Sequence, residues 1–213
     1  MPGKFHHESL YRGETLLAKL ARTRLTLCGA GAIGSNLADT LVRQGASHLR
    51  VIDHDRVDEH NVSTQTYGEH EVGVWKVEAL RNHLFRVAGV EVDAVWKHLV
   101  ESNARQLLKD ADLIIDAFDN AASRKLVQDT ARASVTPCLH IGLFEDYCEV
   151  VWDEAYRVPN DVAATDVCDY PLARNLVLLA TALAAETILR FLADGTRVNR
   201  TATLRDFVVS EMD

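Results

Sequence analysis

The feature that most constrains this chain is a glycine-rich turn that lies between an apolar segment and an amphipathic one. The residues Cys28-Gly29-Ala30-Gly31-Ala32-Ile33-Gly34 have the spacing GxGxxG, and an aspartate follows at Asp53. In a nucleotide-binding βαβ unit the first glycine permits a tight turn, the second lets the backbone approach a phosphate, and the third lets helix and strand pack together. The helix N-terminus offers free N–H groups to the phosphate, and the aspartate accepts hydrogen bonds from ribose hydroxyls. The predicted nucleotide-binding set is therefore Gly29, Gly31, Ala32, Ile33, Gly34 and Asp53.

Composition and length indicate one domain over residues 1–213. Hydrophobic residues make up 47% of the chain, which suffices for one full core but not for two. The formal net charge of −8 disfavours nucleic acid and anionic membrane surfaces as partners, because both bind clustered Lys and Arg. The longest apolar run, residues 176–185, is about half as long as a membrane span. We therefore expect a cytoplasmic protein that binds neither nucleic acid nor a membrane.

Hydrophobic periodicity predicts an alternation of strands and helices along most of the chain. The predicted helices cover residues 8–20, 33–43, 72–87, 102–109, 122–133 and 172–192, and the predicted strands cover residues 25–28, 49–53, 90–96, 113–117, 137–142, 148–152 and 203–210. Such alternation is typical of an α/β fold, here a Rossmann-like, mostly parallel sheet with helices on both faces. We expect an N-terminal helix (8–20), a Rossmann-like core (24–142), and a C-terminal extension (143–213) that contains a strand and a long helix.

Motifs beyond Asp53 depart from those of ordinary dehydrogenases. They are Asp53-x-Asp55-x-Val57, Asn61-x-x-x-Gln65, Gly73-x-x-Lys76 and Asp116-Ala117-x-Asp119-Asn120-x-x-Ser123-Arg124. In this order and spacing the motifs resemble the ubiquitin-activating-enzyme-like family, the ThiF/MoeB/HesA group, from about residue 8 to the long C-terminal helix. The resemblance implies a homodimer that uses ATP and Mg²⁺ to adenylate a carboxylate. That carboxylate is usually the C-terminal glycine of a ubiquitin-like or sulfur-carrier protein.

The resemblance also implies roles for individual residues. Lys76 would contact the phosphates around the α position, Asp119 would hold the magnesium ion, and Arg12 would reach the triphosphate of the neighbouring protomer. Such groups are needed because pyrophosphate leaves with additional negative charge, which cations must stabilise. The remaining members of the implied nucleotide site are Asp55, Asn61, Gln65 and Asn120.

Each of these residues also has a simpler structural interpretation. Lys76 lies in a predicted helix, where a solvated lysine is ordinary, and Asp119 could cap the helix that begins near residue 121. Asn61 and Gln65 could hold the backbone of a loop, and Arg12 could belong to a surface or a helix end.

Two features depart from the family pattern. Thr64 stands where the family commonly has an arginine, and sequence alone leaves Arg56 and Arg124 as candidates to compensate for the missing cation. Paired CxxC zinc ligands, which many relatives carry, do not occur in this sequence, so we expect no structural zinc.

The four cysteines are interpreted as reduced thiols. Cys138 and Cys148 are predicted to be small apolar residues of strands, and Cys28 lies at the end of another strand. Cys168 is the best-placed thiol for acyl or sulfur transfer, but acidic neighbours are expected to raise its pKa, which disfavours a nucleophile. No cysteine is therefore included in the candidate site.

Three functions remain open from the sequence. The first is an adenylyltransferase that acts on a protein tail or on a small carboxylic acid. The second is an NAD-dependent oxidoreductase, which Asp53 alone would permit but which leaves Lys76 and Asp119 unexplained. The third is a catalytically degenerate binding module, for which Thr64 is the indication.

Overall fold

A mixed sheet of eight strands forms the centre of the computed structural model, which describes residues 3–159 and 171–212. The strands are β1 (Arg24–Cys28), β2 (His48–Asp53), β3 (Asp93–Trp96), β4 (Leu113–Asp116), β5 (Cys138–Phe144), β6 (Tyr147–Trp152), β7 (Arg200–Thr203) and β8 (Val209–Glu211). Their order across the sheet is β3-β2-β1-β4-β5-β6-β7-β8. Strands β1 to β5 pair in parallel, and β6 to β8 extend the sheet by antiparallel pairs. The Rossmann-like prediction is confirmed, and three strands (β6, β7 and β8) lie in the C-terminal extension where the hydrophobic pattern predicts two, over 148–152 and 203–210.

The helices of the described residues cover both faces of this sheet. They are α1 (His6–Arg12), α2 (Glu14–Arg22), α3 (Ala32–Gln44), α4 (Lys76–Ala88), α5 (Glu101–Leu108), α6 (Ala121–Ser134) and α7 (Arg174–Asp194). Because side chains of a strand alternate between faces, adjacent residues of the central strands belong to different cores. Leu27 and Ile115 face the core that includes α3, α4 and α7, whereas Cys28 and Ile114 face the core that includes α5 and α6. This arrangement explains the continuous apolar runs of the sequence.

Helix α7 is the longest helix of the described residues. By length and composition alone it could cross a membrane, with a mean hydropathy of 1.9, and 56% of that window is buried within the fold. It packs against α2, α3 and strands β5 to β7. Its buried side chains include Leu176, Ala180, Ala184 and Ile188, which recur at helical spacing. The apolar run is therefore explained by contacts with the sheet and with α3.

Three predicted elements are interrupted or shortened by a break in the backbone. The predicted helix 8–20 is interrupted at Gly13, whose φ of +83° separates α1 from α2. Helix α4 begins at Lys76 rather than at residue 72, because the preceding segment pairs with residues 55–57. The predicted strand 203–210 is a hairpin, since β7 ends at Thr203 and β8 begins at Val209. In each case the hydrophobic pattern continues across a break in the backbone, so periodicity alone could not locate it.

Candidate functional site

The glycine-rich turn joins β1 to α3 and packs against the end of β4. Gly29 has a φ of +100°, and a Cβ there would lie 2.8 Å from the Ala117 carbonyl oxygen. A Cβ on Gly34 would lie 1.9 Å from the Gly29 carbonyl oxygen, so the helix starts in direct contact with its own turn. A Cβ on Gly31 would meet nothing within 4 Å. The first and third glycines are thus required by packing, whereas the second leaves space above the backbone.

The N-terminus of α3 presents backbone N–H groups to that space. Gly31 is its N-cap and supplies no side-chain hydrogen bond. The first N–H to bond within the helix is that of Ser35, which donates to the Gly31 carbonyl. The preceding N–H groups of Ala32, Ile33 and Gly34 lack an intrahelical acceptor, as at the start of any α-helix. This geometry suits a phosphate, because both the free donors and the helix dipole favour an anion.

Asp53 links the turn to the end of β2. Its carboxylate accepts a hydrogen bond from the Ala30 N–H at 2.6 Å and another from the Asp55 N–H at 2.7 Å. Burial raises the pKa of Asp53, and the nearby Lys76 together with the two backbone hydrogen bonds opposes that rise. Each carboxylate oxygen keeps a further lone pair, which can accept from a ribose hydroxyl.

Lys76 is held beside Asp53 by backbone pairing. The Val57 N–H donates to the Val74 carbonyl, and the Lys76 N–H donates to the Asp55 carbonyl, so the two segments run antiparallel. The Lys76 ammonium lies 3.1 Å from a carboxylate oxygen of Asp55, and only 10% of its side chain is exposed. The interpretation as a solvated surface lysine is therefore wrong. The structure brings Asp53, Asp55 and Lys76 together at the carboxyl ends of β1 and β2.

An aromatic and cationic stack borders Lys76. The Arg56 guanidinium lies 3.5 Å from the centre of the Trp75 ring and donates to the Gly73 carbonyl at 2.5 Å. Trp75 in turn stacks on Trp96, with ring centres 3.8 Å apart. Arg56 is thus engaged with its own loop and with Trp75.

The position of the missing family arginine is buried. Thr64 is 8% exposed, and its carbonyl accepts a hydrogen bond from Asn36 of α3 at 2.9 Å. Arg124 is also buried, and it donates to the Ile141 carbonyl and to the Tyr156 hydroxyl. Arg124 is therefore part of the interior and does not replace the cation missing at position 64.

Asn61 and Gln65 differ in their surroundings. The side-chain oxygen of Asn61 accepts from the Asp58 N–H at 2.9 Å and closes a short 3₁₀ turn, which favours the loop-holding interpretation. Gln65 is 9% exposed, and its side-chain oxygen is buried without a hydrogen-bond partner. A buried acceptor of this kind is costly unless a ligand or water satisfies it, so Gln65 remains a candidate ligand contact.

Sequence reasoning missed Tyr67, whose hydroxyl donates to the Ala30 carbonyl at 2.7 Å and supports the glycine-rich turn.

Asp119 and Asn120 lie in the turn between β4 and α6. The side chain of Asn120 accepts from the Ser123 N–H at 2.8 Å and is the N-cap of α6. The alternative that Asp119 caps this helix is therefore wrong. Asp119 is exposed, and its carboxylate makes a long contact of 3.4 Å with the Asn120 amide. An exposed carboxylate suits Mg²⁺, which usually binds one or two carboxylates together with substrate phosphates.

A second group in the described chain has the spacing of a metal site. One ligand atom from each of Asp53, His54 and Asp55 lies within 4.8 Å of the others. The Lys76 ammonium already pairs with Asp55, and both oxygens of Asp53 accept backbone hydrogen bonds. This group therefore suits a ribose and phosphate site better than a cation.

Arg12 pairs within its own chain. Its guanidinium lies 2.6 Å from Glu8 of α1 and 2.9 Å from Glu186 of α7. Burial lowers the pKa of Arg12, but the hydrogen bonds to these two carboxylates outweigh that effect and raise it. The described contacts of Arg12 do not join it to the glycine turn, to Lys76 or to Asp119.

The cysteines of the described residues are buried in strands. Burial raises the pKa of Cys28 and Cys138 well above the ordinary value and that of Cys148 to about 11. These three thiols behave as small apolar side chains, as predicted for Cys138 and Cys148. Cys168 lies outside the described residues.

A group of buried polar residues behind the Asp119 turn was missed by sequence reasoning. His140 and Asp116 are both fully buried and lie 2.8 Å apart, nitrogen to oxygen. The sequence signal that could have indicated this pair is a polar residue within each of two apolar strand segments, Asp116 at the end of β4 and His140 inside β5.

Two adenylyltransferases are similar to this chain in sequence. The "Probable adenylyltransferase/sulfurtransferase MoeZ" of Mycobacterium tuberculosis is 33% identical over 141 residues, and the "Sulfur carrier protein ThiS adenylyltransferase" of Bacillus subtilis is 31% identical over 146 residues. These matches cover 64% and 66% of this chain but only 36% and 44% of the two relatives.

The fold is also similar to solved structures. The crystal structure of E. coli MccB with ATP matches 99% of this chain and 71% of MccB, with a TM-score of 0.83 and 15% identity. PaaA matches with a TM-score of 0.77 and 17% identity, over 99% of this chain and 71% of PaaA. The sequence pattern of the ThiF family matches residues 7–207, nearly the whole length, and the chain therefore belongs to the ThiF family.

Proposed function

We propose that this protein is an ATP-dependent adenylyltransferase that transfers AMP to a carboxylate and releases pyrophosphate. The observation that carries the proposal is the cluster at the carboxyl ends of β1 and β2, where the glycine turn, Asp53 and Lys76 meet. Membership of the ThiF family and the names of the two sequence relatives support it.

Each part of the cluster has a task in this reaction. The N–H groups at the start of α3 hold phosphate oxygens, and Asp53 accepts from the ribose. The Lys76 ammonium leaves Asp55 for the phosphates, where a cation stabilises the charge that develops as the bond between the α-phosphorus and the bridging oxygen breaks. The substrate carboxylate attacks the α-phosphorus in line, and pyrophosphate leaves from the opposite side. Asp119 would hold Mg²⁺, which when bound offsets charge on the leaving pyrophosphate.

We propose the C-terminal carboxylate of a sulfur-carrier or ubiquitin-like protein as the acceptor. The name of the Bacillus subtilis relative specifies a sulfur-carrier protein, which supports this class over a small carboxylic acid. The NAD-dependent alternative has no support from the relatives. The degenerate binding module keeps one supporting observation, because Thr64 is buried and supplies no cation.

We further propose a homodimer in which Arg12 acts in the partner's site. Leu10 and Tyr11, next to Arg12 on α1, are 72% and 83% exposed, and such exposed apolar side chains are suited to an interface. Arg12 would then exchange its pairs with Glu8 and Glu186 for phosphate oxygens. A cytoplasmic location stays a prediction from cysteine usage.

The first experiment compares calorimetric titrations with Mg·ATP and with NAD, followed by exchange of labelled pyrophosphate into ATP in the presence of a carrier protein ending in Gly-Gly. Preference for Mg·ATP with exchange supports the adenylyltransferase, and preference for NAD contradicts it. Binding of ATP without exchange, across a panel of carriers and small acids, identifies the degenerate module.

Variants test the residue roles. Asp119→Asn is expected to abolish magnesium-dependent exchange, whereas Asp129→Asn is the matched control, because Asp129 is an exposed carboxylate on α6 that pairs only with Lys125 among its described contacts. Exchange at the wild-type rate in Asp119→Asn would remove that residue from the mechanism.

The dimer proposal has a separate test. Arg12→Ala and Lys76→Met are each expected to be inactive, but a mixture of the two variants should regain activity, because a mixed dimer contains one site with both residues intact. A mixture as inactive as its components would contradict the shared site.

A further inference from the structure

Five buried or half-buried polar residues lie directly behind the turn that carries Asp119. We name them the Asp116 cluster. Its members are Asp116, Arg124, His140, Asp153 and Tyr156. Asp116 and His140 have no exposed surface, and Arg124 is 8% exposed. Burial of several ionisable groups is costly, and replacement by apolar residues is often neutral or stabilising, so their presence calls for a reason other than stability.

His140 connects two carboxylates. Its Nδ1 lies 2.8 Å from Asp116 and its Nε2 lies 3.3 Å from Asp153. A carboxylate oxygen thus faces each ring nitrogen, and the ring bridges the two acids. The ring is also fixed in orientation, since it stacks on Tyr156 with ring centres 3.9 Å apart and an angle of 7° between the planes.

The cluster holds both ends of the Asp119 turn. At the start of the turn, the second oxygen of Asp116 accepts from the Phe118 N–H at 3.2 Å. At its end, Arg124 in the first turns of α6 donates to the Tyr156 hydroxyl at 2.9 Å and to the Ile141 carbonyl at 2.7 Å. Asp119 lies between these two anchors.

Neighbouring charges keep Asp153, the more exposed acid of the Asp116 cluster, in its ionised form. Burial raises the pKa of Asp153, but hydrogen bonds and charge from Arg132, a hydrogen bond from Gln128 and the charge of His140 outweigh burial and lower it. Asp153 therefore stays ionised and holds the far side of the His140 ring.

We infer that His140 is a positioning residue, which acts through Asp116 to hold the Asp119 turn in the geometry that binds the magnesium ion of Mg·ATP. The inference rests on the proposed function. His140 is fully buried and would act without contacting substrate or metal. Its removal would leave Asp116 with Arg124 as its nearest described cation, at 3.9 Å, and would release the turn at its first residue.

The test measures the magnesium preference, defined as the ratio of ATP affinity with Mg²⁺ to ATP affinity with EDTA, together with the affinity for AMP. Loss of a group that orients a metal ligand costs about tenfold or more in metal affinity, so His140→Leu is expected to lower the magnesium preference about tenfold. AMP affinity should stay within about twofold, because AMP needs the glycine turn and Asp53 rather than the metal.

His140→Asn is the conservative variant, because its amide nitrogen takes the place of Nδ1 and keeps the donor to Asp116. It should recover most of the magnesium preference. Leu139→Ala is the matched control for a loss of packing, since Leu139 is the fully buried neighbour on β5 that faces the opposite core. It should leave the preference unchanged even if the protein is less stable.

A wild-type preference in His140→Leu, or an equal loss in Leu139→Ala, would overturn the inference. If His140→Leu does not fold, His140→Gln takes its place, because its amide reaches the position of Nε2 beside Asp153 and leaves Asp116 without the donor at Nδ1. A reduced magnesium preference in His140→Gln supports the inference, and an unchanged one overturns it. A wild-type protein without any magnesium preference would overturn the proposed function, and this inference with it.

Discussion

Replacement of Gly34 by alanine gives the sharpest test of how the glycine turn is built. The added Cβ would lie 1.9 Å from the Gly29 carbonyl oxygen, so turn and helix would have to separate by about 1 Å or more to reach ordinary contact. Gly29 has little room to move away, because a Cβ built on it would already lie 2.8 Å from the Ala117 carbonyl oxygen. Overpacking of this kind costs about 1–3 kcal/mol, and contact with backbone on both sides places Gly34→Ala at the upper end.

The assay is urea unfolding followed by circular dichroism. With a denaturant slope of about 2 kcal/mol per molar urea, a loss of about 3 kcal/mol lowers the unfolding midpoint by roughly 1.5 M. Gly31→Ala is the matched control, since a Cβ there meets nothing within 4 Å and the φ of −77° is outside the left-handed region. It should change stability by about 1 kcal/mol or less, while it weakens ATP binding by occupying the space above the backbone. An unchanged midpoint in Gly34→Ala, or wild-type ATP affinity in Gly31→Ala, would refute the reasoning.

Three further predictions concern single side chains. Lys76→Met should lower the affinity for Mg·ATP about tenfold and that for AMP by less, by calorimetry, because Lys76 is proposed to bind the phosphates around the α position and AMP carries only the first of them. Gln65→Leu should leave the unfolding midpoint unchanged or slightly raised, since it removes a buried acceptor without a partner, but it should weaken ATP binding. Asp153 has a lowered pKa, so its contribution to stability is present above its unfolded pKa of about 3.9 and is lost as the pH falls through its folded value. Accordingly, Asp153→Asn should be less stable than the wild type at pH 7, and the two should converge in unfolding experiments near pH 2.

Much of the parallel core could be predicted because its signals are local. Each central strand is an apolar run, and the strands alternate with amphipathic helices, so the fold class follows from general rules of α/β proteins. The glycine spacing located the turn correctly, and Gly29 and Gly34 are in close backbone contact as the motif requires. Asp53 could be proposed from its place at the end of a predicted strand, whereas Lys76 could be proposed only from the resemblance to the ThiF/MoeB/HesA group.

The rest could not be predicted, because it depends on contacts between distant parts of the chain. Lys76 pairs with Asp55 because the segment that precedes α4 pairs antiparallel with residues 55–57. The hydrophobic pattern of that segment continues into the helix, so the sequence does not reveal the pairing. That Asn120 rather than Asp119 caps α6 depends on a shift of one residue, which propensity does not resolve. The contact of His140 with Asp116 joins residues on two strands, and no spacing rule in the sequence relates them.

The two hydrogen bonds that Asp53 accepts make its carboxylate a structural tie between the end of β1 and the end of β2. A substitution of Asp53 that removes the carboxylate would therefore break both backbone hydrogen bonds and also remove the proposed ribose acceptor, so a loss of affinity in such a variant would combine two effects. The contribution of the carboxylate is better measured from the ligand, by comparing ATP with its 2′-deoxy and 3′-deoxy analogues on the unaltered protein. With the acceptor already fixed in place, each missing hydroxyl should then report the strength of one hydrogen bond, without the cost of rearranging the loop.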